Sequence, residues 1–120
     1  MNKRILVLDD DPDLLSIIDL LLAGSGYDVL ALADGEMITK HIAEFHPDLI
    51  LMDVMLARLD GRSLCQAIKA NLLNIMPVIL ISGTHNLKQV ISQTGPPNDF
   101  ISKPFDIDDL LKRVEFQLSN

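Results

Sequence analysis

The stretch Ile5-Leu6-Val7-Leu8-Asp9-Asp10-Asp11-Pro12 decides the fold. An aliphatic, β-branched run ends abruptly in three successive carboxylates. The run reads as a buried strand over residues 3–8. The acids pose a problem, because ionised neighbours repel. In a partly buried place, one must hold a proton or the group must face a cation. Two readings follow. Asp is a good helix N-cap and Pro suits the first helical position, so the acids could form a solvated turn. They could also form a metal site. The rest of the chain separates the two.

Outward from this stretch, strands and helices alternate. Residues 12–23 keep polar positions at 13, 16 and 19 among leucines and isoleucines, which predicts a helix. Gly24-Ser25-Gly26 supplies its stop. Residues 28–32 read as a short strand. Asp34-Gly35-Glu36 opens a second helix with Ile38, Ile42 and Phe45 on one face, ended by Pro47. Asp48-Leu49-Ile50-Leu51-Met52-Asp53 is a second buried run ending in an acid. A helix from Gly61 to Leu72 turns Leu64, Ala67, Ile68 and Leu72 inward. Pro77-Val78-Ile79-Leu80-Ile81-Ser82 is a fourth strand, ending in a hydroxyl. The segment from Asn86 to Thr94 is poorly patterned and predicts a short or irregular fourth helix. Phe100-Ile101-Ser102 is a brief strand before Lys103-Pro104. Residues 106–118 place Ile107, Leu110, Leu111, Val114 and Leu118 at helical spacing. Strictly alternating strands and helices predict a parallel sheet with helices on both faces.

Whole-chain properties narrow the function. The 120 residues fit one domain, with no linker, repeat or low-complexity segment. At 48% hydrophobic and 4% aromatic, the core is aliphatic. A net charge of −7 with no Lys/Arg cluster argues against direct nucleic-acid binding and suits divalent cations or a basic partner. Cys65 is the only cysteine, so no intrachain disulfide forms; it reads as an inert buried thiol. No apolar run approaches the roughly 18 residues of a membrane span. The N-terminus lacks the apolar region of a secretory signal. These features predict a soluble cytoplasmic protein. His41, His46 and His85 have no metal-like spacing.

In a parallel α/β sheet, ligands bind outside the carboxyl ends of the strands. Those ends carry Asp9, Asp10 and Asp11, then Asp53, Ser82 and Lys103. Hard oxygen donors in an open arrangement suit Mg²⁺, which favours one or two carboxylates plus phosphate oxygens. A lysine and a hydroxyl beside the metal supply charge balance for a phosphoryl group. One aspartate is then free to act as a nucleophile toward phosphorus, forming an acyl phosphate.

These residues carry a resemblance. Val7-Leu8-Asp9-Asp10-Asp11-Pro12, Pro47-Asp48-Leu49-Ile50-Leu51-Met52-Asp53-Val54-Met55-Leu56, Asp60-Gly61, Ser82-Gly83 and Asp99-Phe100-Ile101-Ser102-Lys103-Pro104-Phe105 stand in the order and spacing of a response-regulator receiver domain of two-component signalling. The match spans essentially the whole chain. It implies a flavodoxin-like fold with strand order 2-1-3-4-5 and five helices. It implies a signalling module rather than an enzyme. A histidine kinase or histidine phosphotransfer protein would donate the phosphoryl group to Asp53. Mg²⁺ would be bound by Asp10, by Asp9 through a water, by Asp53, and by the backbone carbonyl of Met55. Lys103 would pair with a phosphoryl oxygen. Ser82 and Phe100 would form the conformational switch, and Lys103-Pro104 would be cis. Asp11 is expected to cap the first helix and not to bind metal. A homodimer through the face of the fourth and fifth helices is a candidate contact, with Phe116 off the apolar stripe. The first helix is expected to dock the phosphodonor through a patch including Leu14 or Leu15.

The sequence departs from the family pattern at Ala57, usually Pro, at Gly83, usually Ala, and at Gly95-Pro96-Pro97, which forbids helix there. Ala57 and Gly83 are expected to loosen their loops, and the Gly95-Pro96-Pro97 segment bears on signal output. Two rivals stand beside this reading. Asp9-x-Asp11 after a strand resembles haloacid-dehalogenase-like phosphatases, which would put the nucleophile at Asp9. A degenerate receiver would serve as a scaffold without accepting phosphate. No effector domain follows Asn120, which leaves a stand-alone receiver and one excised from a longer chain both open.

Overall fold

The computed structural model describes residues 2–53, 76–82 and 98–119, with the backbone alone at Ser82. Its elements, in order, are β1 (Arg4–Leu8), α1 (Pro12–Gly24), β2 (Asp28–Leu32), α2 (Ile38–Phe45), β3 (Leu49–Asp53), β4 (Val78–Ser82), β5 (Asp99–Ser102) and α3 (Ile107–Ser119). The five strands form one parallel sheet in the order β2-β1-β3-β4-β5. This is the flavodoxin-like order that the resemblance implies. The helices expected over 61–72 and 86–94 lie outside the described residues, as do Met55, Ala57, Cys65, Gly83, His85 and Gly95-Pro96-Pro97.

The apolar runs become central strands because both of their faces are covered. Along β1, Leu6 and Leu8 belong to one core cluster with Ile38 and Ile42 of α2. Ile5 and Val7 belong to a second cluster with Ile18 and Leu22 of α1 and Leu110 and Val114 of α3. The period-2 alternation of a strand sends successive side chains to opposite faces, so a strand buried on both sides must be apolar throughout. β3 is buried along its whole length. Each fully buried leucine or isoleucine there contributes about 1.5–3 kcal/mol by leaving water.

Local chemistry sets the ends of the elements. Gly26 closes the turn after α1 at φ 96°, a left-handed conformation that costs glycine least. α2 begins at Ile38, later than the Asp34-Gly35-Glu36 expected to open it. The Asp34 carboxylate accepts the Glu36 N–H at 2.9 Å and holds these residues in a turn of their own. At the other end, Arg4 donates from Nη1 to the Phe45 carbonyl at 2.8 Å, and its guanidinium lies over the Phe45 ring. Asp48 meets β1 twice, accepting the Arg4 N–H at its carboxylate and donating its own N–H to the Arg4 carbonyl.

Two expectations about exposure change. Ile107 lies in phase with the apolar stripe of α3 yet is 46% exposed, whereas Leu110 and Val114 further along the helix are buried. Leu14 and Leu15 are half-buried against the α1/α3 core, while Ile17 and Leu20 of the same helix are 51% and 77% exposed. The open apolar face of α1 is therefore turned away from Leu15.

Candidate functional site

The site sits at the carboxyl edge of β1 and β3. β1 delivers Asp9 and Asp10 just past its last residue. The Asp9 N–H donates to the Leu32 carbonyl at 3.1 Å, which carries the β1–β2 pairing one step beyond the strands. Asp53 is the last residue of β3. Asp9 and Asp53 are 1% and 5% exposed and are the buried charged residues among those described. Asp10 is exposed. One carboxylate oxygen from each of Asp9, Asp10 and Asp53 can be chosen so that all lie within 4.8 Å of one another.

One cation contacts this cluster among the described residues. Lys103, just past β5, places Nζ 3.1 Å from Asp53 Oδ2 and 3.4 Å from Asp9 Oδ2. The Lys103-Pro104 peptide is cis, as the resemblance implies. Burial by itself would lower the Lys103 pKa. The hydrogen bond to Asp53 and the charges of both carboxylates outweigh it and hold the ammonium above its ordinary range. Burial pushes the Asp9 carboxyl upward, and the Asp53 charge adds to this against the lowering effects of the Asp11 amide and Lys103.

Among the described residues, two of the three clustered carboxylates, Asp9 and Asp53, share the Lys103 ammonium. Two like charges about 4.8 Å apart repel by roughly 3–4 kcal/mol at an effective dielectric near 20. The donor set is all oxygen, clustered and partly open, which fits a hard divalent cation such as Mg²⁺. Asp11 stands apart from the cluster. Its carboxylate accepts the N–H groups of Asp13 and Leu14 at 3.0 and 3.3 Å, with Pro12 as the first residue of α1. The opening acids divide between two places. Asp11 caps the helix, and Asp9 and Asp10 join Asp53.

The remaining expected residues are less completely placed. Phe100 lies in β5, half-buried and packed against the α2-side core. Ser82 ends β4 beside Ser102, so its backbone stands at the same sheet edge. Met55 lies outside the described residues. Sequence reasoning passed over Arg113. Its guanidinium joins Asp99 at 2.6 Å and Asp109 at 3.0 Å and reaches the Phe100 carbonyl at 3.4 Å, tying α3 to β5. The i, i+4 spacing of Asp109 and Arg113 was the available signal.

The family described as response regulator receiver domain matches residues 5–115. The chain belongs to this family. The receiver domain is 32% identical over 119 residues to the DNA-binding response regulator MtrA of Mycolicibacterium smegmatis, covering 98% of this chain and 51% of that protein. It is 34% identical over 115 residues to the alkaline phosphatase synthesis transcriptional regulatory protein PhoP of Bacillus subtilis, covering 96% and 48%. The chain thus spans about half the length of these relatives. Among solved structures, a CheY-like receiver domain protein from Methanospirillum hungatei superimposes with a TM-score of 0.90 at 28% identity, covering 99% of this chain and 95% of that one. The BeF3-activated receiver domain of Klebsiella pneumoniae RstA superimposes at 0.87 with 27% identity, covering 98% and 100%. The general role of such receiver domains is to accept a phosphoryl group in two-component signalling, where response regulators interact with histidine kinases. Among the described residues, no helix is long and apolar enough to cross a membrane.

Proposed function

We propose that all 120 residues form one receiver domain that takes a phosphoryl group from a phosphohistidine onto Asp53 and regulates an output by changing conformation. The observation that carries this reading is the Lys103 ammonium held between Asp53 and Asp9 at the strand ends. In the transfer, an Asp53 carboxylate oxygen bonds to phosphorus as the phosphorus–nitrogen bond breaks. The electron pair returns to the donor imidazole, which takes up a proton. The Lys103 ammonium then balances charge on a phosphoryl oxygen. Asp9, Asp10, Asp53 and the Met55 carbonyl would hold Mg²⁺, which supplies further neutralisation of carboxylate and phosphoryl charge when bound. Ser82 and Phe100 serve as the switch. In this reading the chain is a cytoplasmic signalling module, not an enzyme acting on a separate substrate, and makes no direct contact with nucleic acid.

Incubation with acetyl phosphate and Mg²⁺, followed by intact-mass spectrometry and peptide mapping, tests the reading. One phosphoryl group on Asp53, lost when Mg²⁺ is chelated, is the expected result. No adduct, together with no response to beryllofluoride, would leave the scaffold reading. An adduct on Asp9 would point to phosphatase-like chemistry.

The donor docks on α1 in this reading, on the side of the helix that carries Ile17 and Leu20. Ser16, Ile17, Leu20 and Leu21 line a shallow apolar hollow on the outer side of the helix. Leu20→Glu is expected to slow transfer from a phosphorylated histidine protein by about tenfold or more, the loss of roughly 1.4 kcal/mol of contact. Uptake from acetyl phosphate, which needs no docking, provides the comparison. Equal slowing with both donors would remove the docking role. The candidate homodimer face has its α3 half among the described residues, where Phe116 is 61% exposed one turn from Arg113.

A further inference from the structure

We propose that Asp11 is a positioning residue for the metal site and acts through Asp9. The proposal rests on the reading of Asp9, Asp10 and Asp53 as the Mg²⁺ site. The buried Asp9 carboxylate is held from two sides. Oδ2 faces Lys103, and Oδ1 accepts the backbone N–H of Asp11 at 2.9 Å. That second hydrogen bond sets which way the carboxylate plane turns, and outer-shell donors of this kind orient metal ligands.

The Asp11 amide is itself held from the other direction. Its residue is extended, at φ −86° and ψ 108°, and is the N-cap of α1. Its side chain accepts the Asp13 and Leu14 N–H groups, and its carbonyl accepts the Leu15 N–H at 2.9 Å. Pro12 follows with its φ locked by the ring. Asp11 is thus fastened to α1 by its carboxylate and carbonyl, and to Asp9 by its amide. Its negative charge lies against the positive end of the helix. Cutting the side-chain attachment leaves the amide in place but frees its aim. The order of the first turn of α1 and the affinity for the metal are then coupled, and the coupling works in both directions.

The test compares two variants of equal charge in the full chain. Asp11→Asn keeps a capping oxygen and Asp11→Ala removes it. Two-dimensional NMR of the ¹⁵N-labelled protein titrated with MgCl₂ reads the dissociation constant without any phosphoryl transfer. Asp11→Ala is expected to bind Mg²⁺ about fivefold more weakly than Asp11→Asn, below the roughly 10- to 100-fold cost of losing an outer-shell partner outright. Should the alanine variant unfold, Asp11→Gly removes the same acceptors at little cost to the helix. Ala23→Gly loosens α1 at its far end and is expected to leave Mg²⁺ affinity at the wild-type value. Equal affinities in the asparagine and alanine variants overturn the proposal, as does a comparable weakening by Ala23→Gly. A wild-type chain that shows no Mg²⁺ response overturns the metal reading and the Asp11 role with it.

Discussion

Asp53→Asn is expected to abolish phosphoryl uptake from every donor while making the metal-free fold more stable. The first effect is chemical. An amide oxygen does not form the acyl phosphate, so the loss should be complete in an intact-mass measurement. The second effect is electrostatic. Asp9 and Asp53 lie almost fully buried beside the Lys103 ammonium. Asparagine keeps the shape and an acceptor for Lys103 but removes one charge. A gain of about 1–2 kcal/mol is expected in urea unfolding near pH 7, a fraction of the pairwise repulsion. The sign with pH follows from Asp9. Its folded pKa is raised above 3.8, first by burial and then by the Asp53 charge. Such a group favours the fold below 3.8, and that contribution is lost as pH rises through the folded value. The asparagine variant should lose less over this window. Its advantage should therefore open as pH rises from 3.8 and vanish in acid. Saturating Mg²⁺ should reverse the order of stability, since it stabilises only a chain that binds it. An equal or lower metal-free stability at neutral pH would show that the Lys103 ion pair outweighs the repulsion.

Lys103→Met is expected to damage both folding and function. The methionine covers much the same apolar stem but leaves Asp9 and Asp53 without their ammonium. Removing one partner of a buried ion pair costs about 3–5 kcal/mol, and the 25% exposure of the lysine side chain reduces this to about 2–3 kcal/mol. Urea unfolding without metal reads the cost directly. Mg²⁺ should recover part of it by neutralising the same carboxylates. Because the Lys103 pKa is raised above 10.5, its contribution is fully present below that pH and is lost as pH climbs through the folded value. The wild type should accordingly lose stability in that alkaline range and the methionine variant should not. The acetyl phosphate uptake rate should fall by about 10²-fold or more, the usual cost of removing one preorganised charge at a reacting group. An unchanged rate would place the phosphoryl group away from Lys103.

Most of the sheet is legible in the amino-acid sequence. Four of the five strands are apolar runs with no interior breaker, and the acids at the ends of β1 and β3 mark the edge where the chemistry lies. The Asp11-Pro12 pair announced a helix start on local chemistry alone. Local signals were weaker where two of them competed. Asp34-Gly35-Glu36 carries the residues of a helix start and of a turn, and the Asp34 side chain decided for the turn.

The tertiary structure alone decided the phase of α1 and the convergence of the site. α1 is apolar around most of its circumference, so its few polar positions, 13, 16 and 19, leave open how many of its leucines and isoleucines face out. Packing on β1 and β2 turned Ile18 and Leu22 inward and left Ile17 and Leu20 in solvent. Ile107 keeps the right period but stays half exposed while Leu110 and Val114 are buried. Sequence order placed Asp9, Asp53 and Lys103 at strand ends, and their residue types suggested a cation and a phosphoryl group. It did not contain the 3.1 and 3.4 Å contacts that join residues 50 and 94 positions apart. Those distances come from the parallel pairing of β1, β3, β4 and β5, which aligns the strand ends in space. Residue identity determines what a side chain can do chemically, and strand register determines which side chains can do it together.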